Sequence, residues 1–123
     1  MAHMASLHET LDFSGPSAFS RRMQEDTFIH CSFDGLQLEG IGLESVVVGS
    51  SFKNCSWYWG IFNTAVLVDV TFVDCTFRGT HFGGATFTRC RFERCRFIED
   101  NLNVGCKFNE CSWYNCEQVD CVG

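Results

Sequence analysis

From Asp26 onward the large apolar residues recur at every fifth position. Between Thr71 and Asp100 the chain cuts into TFVDC TFRGT HFGGA TFTRC RFERC RFIED, with Phe72, Phe77, Phe82, Phe87, Phe92 and Phe97 in one row. A helix repeats at about 3.6 residues and a strand at 2, so neither asks for this spacing. Call the large residue of each pentad its centre. The row extends through Phe28, Phe33, Leu38, Leu43, Val47, Phe52, Trp57, Phe62 and Leu67 on one side, and Leu102, Phe108 and Trp113 on the other. The step slips twice. One residue is missing near ESVVVGS, between Leu43 and Phe52, and one is extra near NVG, between Leu102 and Phe108. Both slips contain glycine, as a bulge or turn would.

Two positions before the centres the residues are small. All nine cysteines fall there (Cys31, Cys55, Cys75, Cys90, Cys95, Cys106, Cys111, Cys116 and Cys121), with Ser45, Ser50, Gly60, Ala65, Val70, Thr80 and Ala85 among the others. Residues two apart point the same way on an extended backbone. Each pentad therefore buries one large and one small side chain. The fifth position, held by Gly35, Gly40, Asn54, Asp69, Asp74, Gly79, Gly84 or Asn115, carries turn-forming types. Four such pieces close a square coil, and coils stack as parallel strands about 4.8 Å apart. The predicted columns are Phe33, Phe52, Phe72, Phe92 and Trp113; Leu38, Trp57, Phe77 and Phe97; Leu43, Phe62, Phe82 and Leu102; and Phe28, Val47, Leu67, Phe87 and Phe108.

Units such as CTFRG, ATFTR, CRFER, CRFIE and CKFNE, repeated some eighteen times from Asp26 to about Cys116, make the chain resemble the pentapeptide repeat proteins. The resemblance implies an all-β, right-handed quadrilateral parallel β-helix, or β-solenoid. Here it would have about five coils over residues 26–123, behind an N-terminal cap segment, residues 5–25. The first four residues, MAHM, read as a cloning scar with Met4 the natural start.

Composition changes this picture little. The 123 residues suit one domain, and no apolar run is long enough to span a membrane. With no signal-peptide layout and cysteines explained as core filling, the chain is expected to be cytoplasmic and its thiols free. In register, Cys55, Cys75, Cys95 and Cys116 share a column. Cys106, Cys111 and Cys116 raise zinc as an alternative, but a step of five sends them to three different walls. No cofactor is expected. His30 and His81 lie at outer or corner positions without a nucleophile beside them, so no enzyme is expected. The net charge of −6 disfavours direct contact with nucleic acid. The arginines between Arg78 and Arg96 are expected to pair along the corners: Asp69 with Arg89, Asp74 with Arg94, Glu110 also with Arg89, and Glu117 with Arg96. Asp100 stands at a small, buried position and is expected to bond the bulged backbone around Asn103 to Gly105.

A solid coil offers faces rather than pockets. Ile29, Val46, Val48, Val66 and Val68 are predicted to point outward on one wall, an unusual β-branched patch. Either it meets a partner (a homodimer included) or residues 5–25 fold back over it. Tyr58, Trp59 and Tyr114 are further candidates for exposed interface aromatics. Two functions follow. One is a protein-interaction module using the valine face or the Trp59 region. The other is implied by the resemblance: some family members protect DNA gyrase or topoisomerase as acidic mimics of duplex DNA and confer quinolone resistance. Asp34, Glu39 and Glu44 are the candidate acidic surface. Those members are dimers joined by a C-terminal helical module, which CEQVDCVG does not resemble.

Overall fold

A three-residue strand is unstable alone, and the described residues form nineteen of them. In the computed structural model, which describes residues 5–20 and 23–123, most pentads from Asp26 onward are one such strand followed by a corner, the one centred on Leu43 being an exception. The strands pair only with those one coil above and below, always parallel and in register. The first wall holds Leu7–Glu9, Thr27–Ile29, Val46–Val48, Val66–Val68, Thr86–Thr88 and Ser112–Tyr114. The second holds Asp12–Ser14, Ser32–Asp34, Ser51–Lys53, Thr71–Val73, Arg91–Glu93 and Glu117–Val119. The third has four strands, Gln37–Glu39, Ser56–Tyr58, Thr76–Arg78 and Arg96–Ile98; the fourth has three, Ile61–Asn63, His81–Gly83 and Lys107–Asn109. The result is an all-β solenoid of about four turns. No α-helix occurs among the described residues, and none is long and apolar enough to cross a membrane. The expected cloning scar, residues 1–4, lies outside the described residues.

The core is the stack of centres. Phe33, Phe52, Phe72 and Phe92 lie ring on ring at 4.3, 5.0 and 4.8 Å. Trp57, Phe77 and Phe97 do the same at 4.8 and 5.0 Å on the next wall. Neighbouring columns meet at steep angles, as between Phe72 and Phe77 (66°), so stacking runs along the axis and tilted or edge contacts across it. Each buried thiol points at the coil beneath. The Sγ atoms of Cys75, Cys90 and Cys95 lie 3.3, 3.4 and 3.3 Å from the carbonyl oxygens of Phe52, Leu67 and Phe72. All nine cysteines are free thiols.

The first slip falls where the sequence places it. Thr27 pairs with Val46, nineteen residues on, whereas Val46 pairs with Val66, twenty on. The second slip is larger than expected. Lys107 pairs with His81, twenty-six residues apart, so six residues leave the coil. Phe108 therefore stacks on Phe82 and Trp113 on Phe87, not on Phe87 and Phe92 as the single-residue reading required. Leu102 is no centre at all: it is 72% exposed on the extruded loop. The same shift places Cys116 over Cys90 and Cys121 over Cys95. Because these six residues leave as a loop, the strands that follow keep to their walls.

Residues 5–20 join the stack. Leu7–Glu9 pairs with Thr27–Ile29 and Asp12–Ser14 with Ser32–Asp34. His8 and Phe13 take centre positions on Phe28 and Phe33, and Phe19, 3% exposed, packs against both phenylalanines.

Candidate functional site

The outward positions of the first wall form two parallel columns. One reads Leu7, Thr27, Val46, Val66, Thr86, Ser112; the other reads Glu9, Ile29, Val48, Val68, Thr88, Tyr114. Only Glu9, at one end, carries a charge. Val46 and Val66 are 42% and 37% exposed, while Ile29, Val48 and Val68 are half-buried against their neighbours. The β-branched side chains are stiff at χ1, so the face is a preformed ridge. The N-terminal segment extends this wall edgewise and leaves Val46 and Val66 open.

Charge is gathered at the corners and on the other walls. Arg89 holds Asp69 through Nε (2.8 Å) and a terminal nitrogen (3.1 Å), and Arg94 holds Asp74 likewise at 2.8 and 3.2 Å. These guanidiniums hold both carboxyls below the ordinary carboxylate value. Because of the larger second slip, Glu117 meets Arg91 at 2.6 Å rather than Arg96, and Glu110, next to Asn109, takes the corner of Gly84 rather than that of Arg89. The acidic candidates Asp34, Glu39 and Glu44 are exposed. Lys53 stands directly across from Asp34, and Tyr58 across from Glu39.

The aromatic candidates are placed by a polar knot. Tyr58 is half-buried, with the Arg78 guanidinium 5.1 Å above its ring, and packs on Trp59 at 4.3 Å. Trp59, a corner residue at φ +56° and 39% exposed, donates its indole N–H to Asp100 Oδ2 at 2.8 Å. Asp100 Oδ1 accepts from the Leu102 and Val104 amides at 2.8 and 2.9 Å, one residue either side of the predicted Asn103. These bonds, with Val104 first and Trp59 after it, hold the carboxyl below its usual value. Gly79, at φ +56°, lets Asp100 pack against the corner, where a methyl group would lie 2.8 Å from its Cβ.

Other sequence candidates remain apart. The Sγ atoms of Cys106, Cys111 and Cys116 turn to the carbonyls of Phe77, Phe82 and Phe87, on three walls. The His30 ring lies near the Gly49 carbonyl, Nδ1 to oxygen 3.4 Å. One buried carboxylate went unread. Asp26, 3% exposed, accepts from the Ser6 amide and lies 2.9 Å from His8 Nε2. It stands two residues before Phe28, the same small position that singles out Asp100, so the frame contained the signal.

The family model for the pentapeptide repeat region matches residues 21–102. Among solved structures, a trypsin-treated QnrB1, a plasmid-mediated fluoroquinolone resistance protein, is similar with a TM-score of 0.64 at 14% identity, over 96% of this chain. The chain spans 58% of the length of that protein. The pentapeptide repeat protein Rfr23 from the cyanobacterium Cyanothece 51142 is similar with a TM-score of 0.50 at 10% identity, covering 78% of this chain and 90% of Rfr23. At these identities the likeness concerns the fold. Among curated protein sequences none matches.

Proposed function

Because the chain belongs to the pentapeptide repeat proteins, whose coil here is filled by its own side chains, we propose that it is a non-enzymatic protein-binding module working through the first wall. The observation that carries this reading is the uncharged β-branched face through Thr27, Ile29, Val46, Val48, Val66, Val68, Thr86 and Thr88. An exposed sheet face of this composition gains free energy by being covered. Six strands at about 4.8 Å and three residues at about 3.3 Å give it only roughly 250–300 Å². A stable interface buries about 800 Å² per partner, so a partner seated there also grips the flanking corners. Asp69 and Arg89 occupy one of them.

The experiment is recovery of the partner by wild type and by the Val66→Glu, Val68→Glu double variant, alongside their melting curves. Both valines point outward, so the variant is expected to stay folded and bind at least about tenfold more weakly. Undiminished binding removes the face as the site. A large fall in Tm instead assigns the valines to the fold.

A DNA-mimic role on gyrase or topoisomerase is the second reading, supported by the net charge of −6 and the exposed Asp34, Glu39 and Glu44. The first reading has more support. Lys53, Arg91 and Arg94 interrupt the acids on the second wall and its corner, where a mimic needs a continuous acidic stripe. Relief of quinolone-inhibited gyrase supercoiling by this protein would reverse the order.

A further inference from the structure

The edge between the third and fourth walls carries a surface of different chemistry. There Trp59, Ile61, His81, Asp100 and Val104 line a hollow of about 290 Å³. That lies at the lower end of small-molecule pocket sizes, so it suits one long side chain better than a cofactor. Trp59, Ile61 and Val104 are 39%, 50% and 36% exposed, giving an aromatic surface and an apolar wall. Asp100 is 7% exposed. Its carboxylate has about four acceptor sites, of which the Leu102 amide, the Val104 amide and the Trp59 indole use three. The remaining one is on Oδ2. The Val104, Trp59 and Leu102 donors, with the Arg78 charge nearby, hold the Asp100 carboxyl below its usual value. Arg78 does not line the hollow. Its Nε is spent on the Glu99 carbonyl at 3.0 Å and its guanidinium lies over Tyr58.

We propose that this hollow binds a cationic side chain, arginine or lysine, of a partner protein. The methylene stem would lie along Ile61 and Val104 and the charged head against Trp59 and Asp100 Oδ2. Charge complementarity selects this occupant. An apolar side chain would take water from Asp100 Oδ2 and leave its open acceptor position without a donor, which is unfavourable. A cationic head donates to that oxygen and also gains from the indole face. The hollow is already shaped, since Asp100 ties the loop to Trp59, two coils away across Gly79. The proposal rests on the reading of the chain as a protein-binding module, but on a corner separated from the first wall by the fourth.

The test titrates acetyl-Gly-Arg-Gly amide into the isotope-labelled full chain and follows the Trp59 indole N–H by NMR. Saturable shifts of that signal and of the Leu102 and Val104 amides are expected, about tenfold tighter than with the neutral citrulline peptide. Ile61→Lys, at an exposed position, should abolish them by placing a cation of the chain itself in the hollow, with the remaining spectrum unchanged. Equal binding of the citrulline peptide, tighter binding of the leucine peptide, no saturable shift, or full binding by the Ile61→Lys chain would each overturn the proposal. The peptide reads the hollow alone, so the outcome is independent of whether the valine variant keeps its partner.

Discussion

At the scale of single residues the fold is decided at its corners. Among the described residues, thirteen that are not glycine hold φ between +50° and +63°. Asn54, Asp69, Asp74 and Asn115 are types that tolerate this region; Thr64, at φ +56°, is not, because its branched Cβ crowds the backbone. Thr64 is exposed, and its hydroxyl donates only to the adjacent Asn63 carbonyl at 2.6 Å. Thr64→Gly is therefore expected to stabilise the protein by roughly 0.5–1 kcal/mol, the strain relieved outweighing the added freedom of the unfolded chain. A urea midpoint at or below the wild-type value would contradict this. The corners also show how far the sequence could be read. Glycine, asparagine and aspartate announced them, but Trp59 at a corner did not. Its role emerged only with Asp100, forty-one residues away.

At the scale of the element, a three-residue strand contributes one centre and one small residue to the core. The small position sets its chemistry. Burial pushes the Cys90 thiol up to about 11, with Cys116 above it adding to the effect. An unfolded thiol titrates near 9.0, so between about pH 9 and 11 the unfolded chain has lost protons that the folded chain keeps. Stability must then fall as pH rises through that window. The urea midpoint is expected to drop from pH 8 to pH 10.5, and to drop less in Cys90→Ala, since Ala65 and Ala85 fill equivalent positions elsewhere. An equal drop in both proteins would place the titration on other groups. The assignment of all nine cysteines to this position was legible from spacing alone. Which thiols stack was not, because the columns above Arg96 depend on the length of the second slip.

At the scale of the whole molecule the solenoid is one-dimensional, and each coil is held by its neighbours. Phe62, Phe72, Phe77 and Phe82, in the middle, are at most 1% exposed, whereas Phe108 and Trp113 in the last coil are 43% and 40% exposed. Opening should therefore begin at that end. Amide exchange is expected to be fastest in Lys107–Asn109 and Ser112–Tyr114 and slowest in Thr71–Val73 and Thr76–Arg78, spreading over at least about tenfold. Uniform exchange would instead mark a single cooperative unit.

The sequence by itself determined the square coil, its walls and most of its columns, since a five-residue period has one geometric solution and tolerates no change of face. The same five-residue step continues towards the N-terminus. Stepping by five from Phe28 through Met23 and Ala18 reaches Phe13 and His8, which do stack as centres, but histidine and alanine are not the large apolar type that marks a centre. Tertiary structure alone decided the rest. The length of the extruded loop depends on what Asp100 can hold. The partners of Arg91 and Glu117 follow from that length. The hollow beside Trp59 exists because residues from three coils meet at one corner, a proximity that no local pattern encodes.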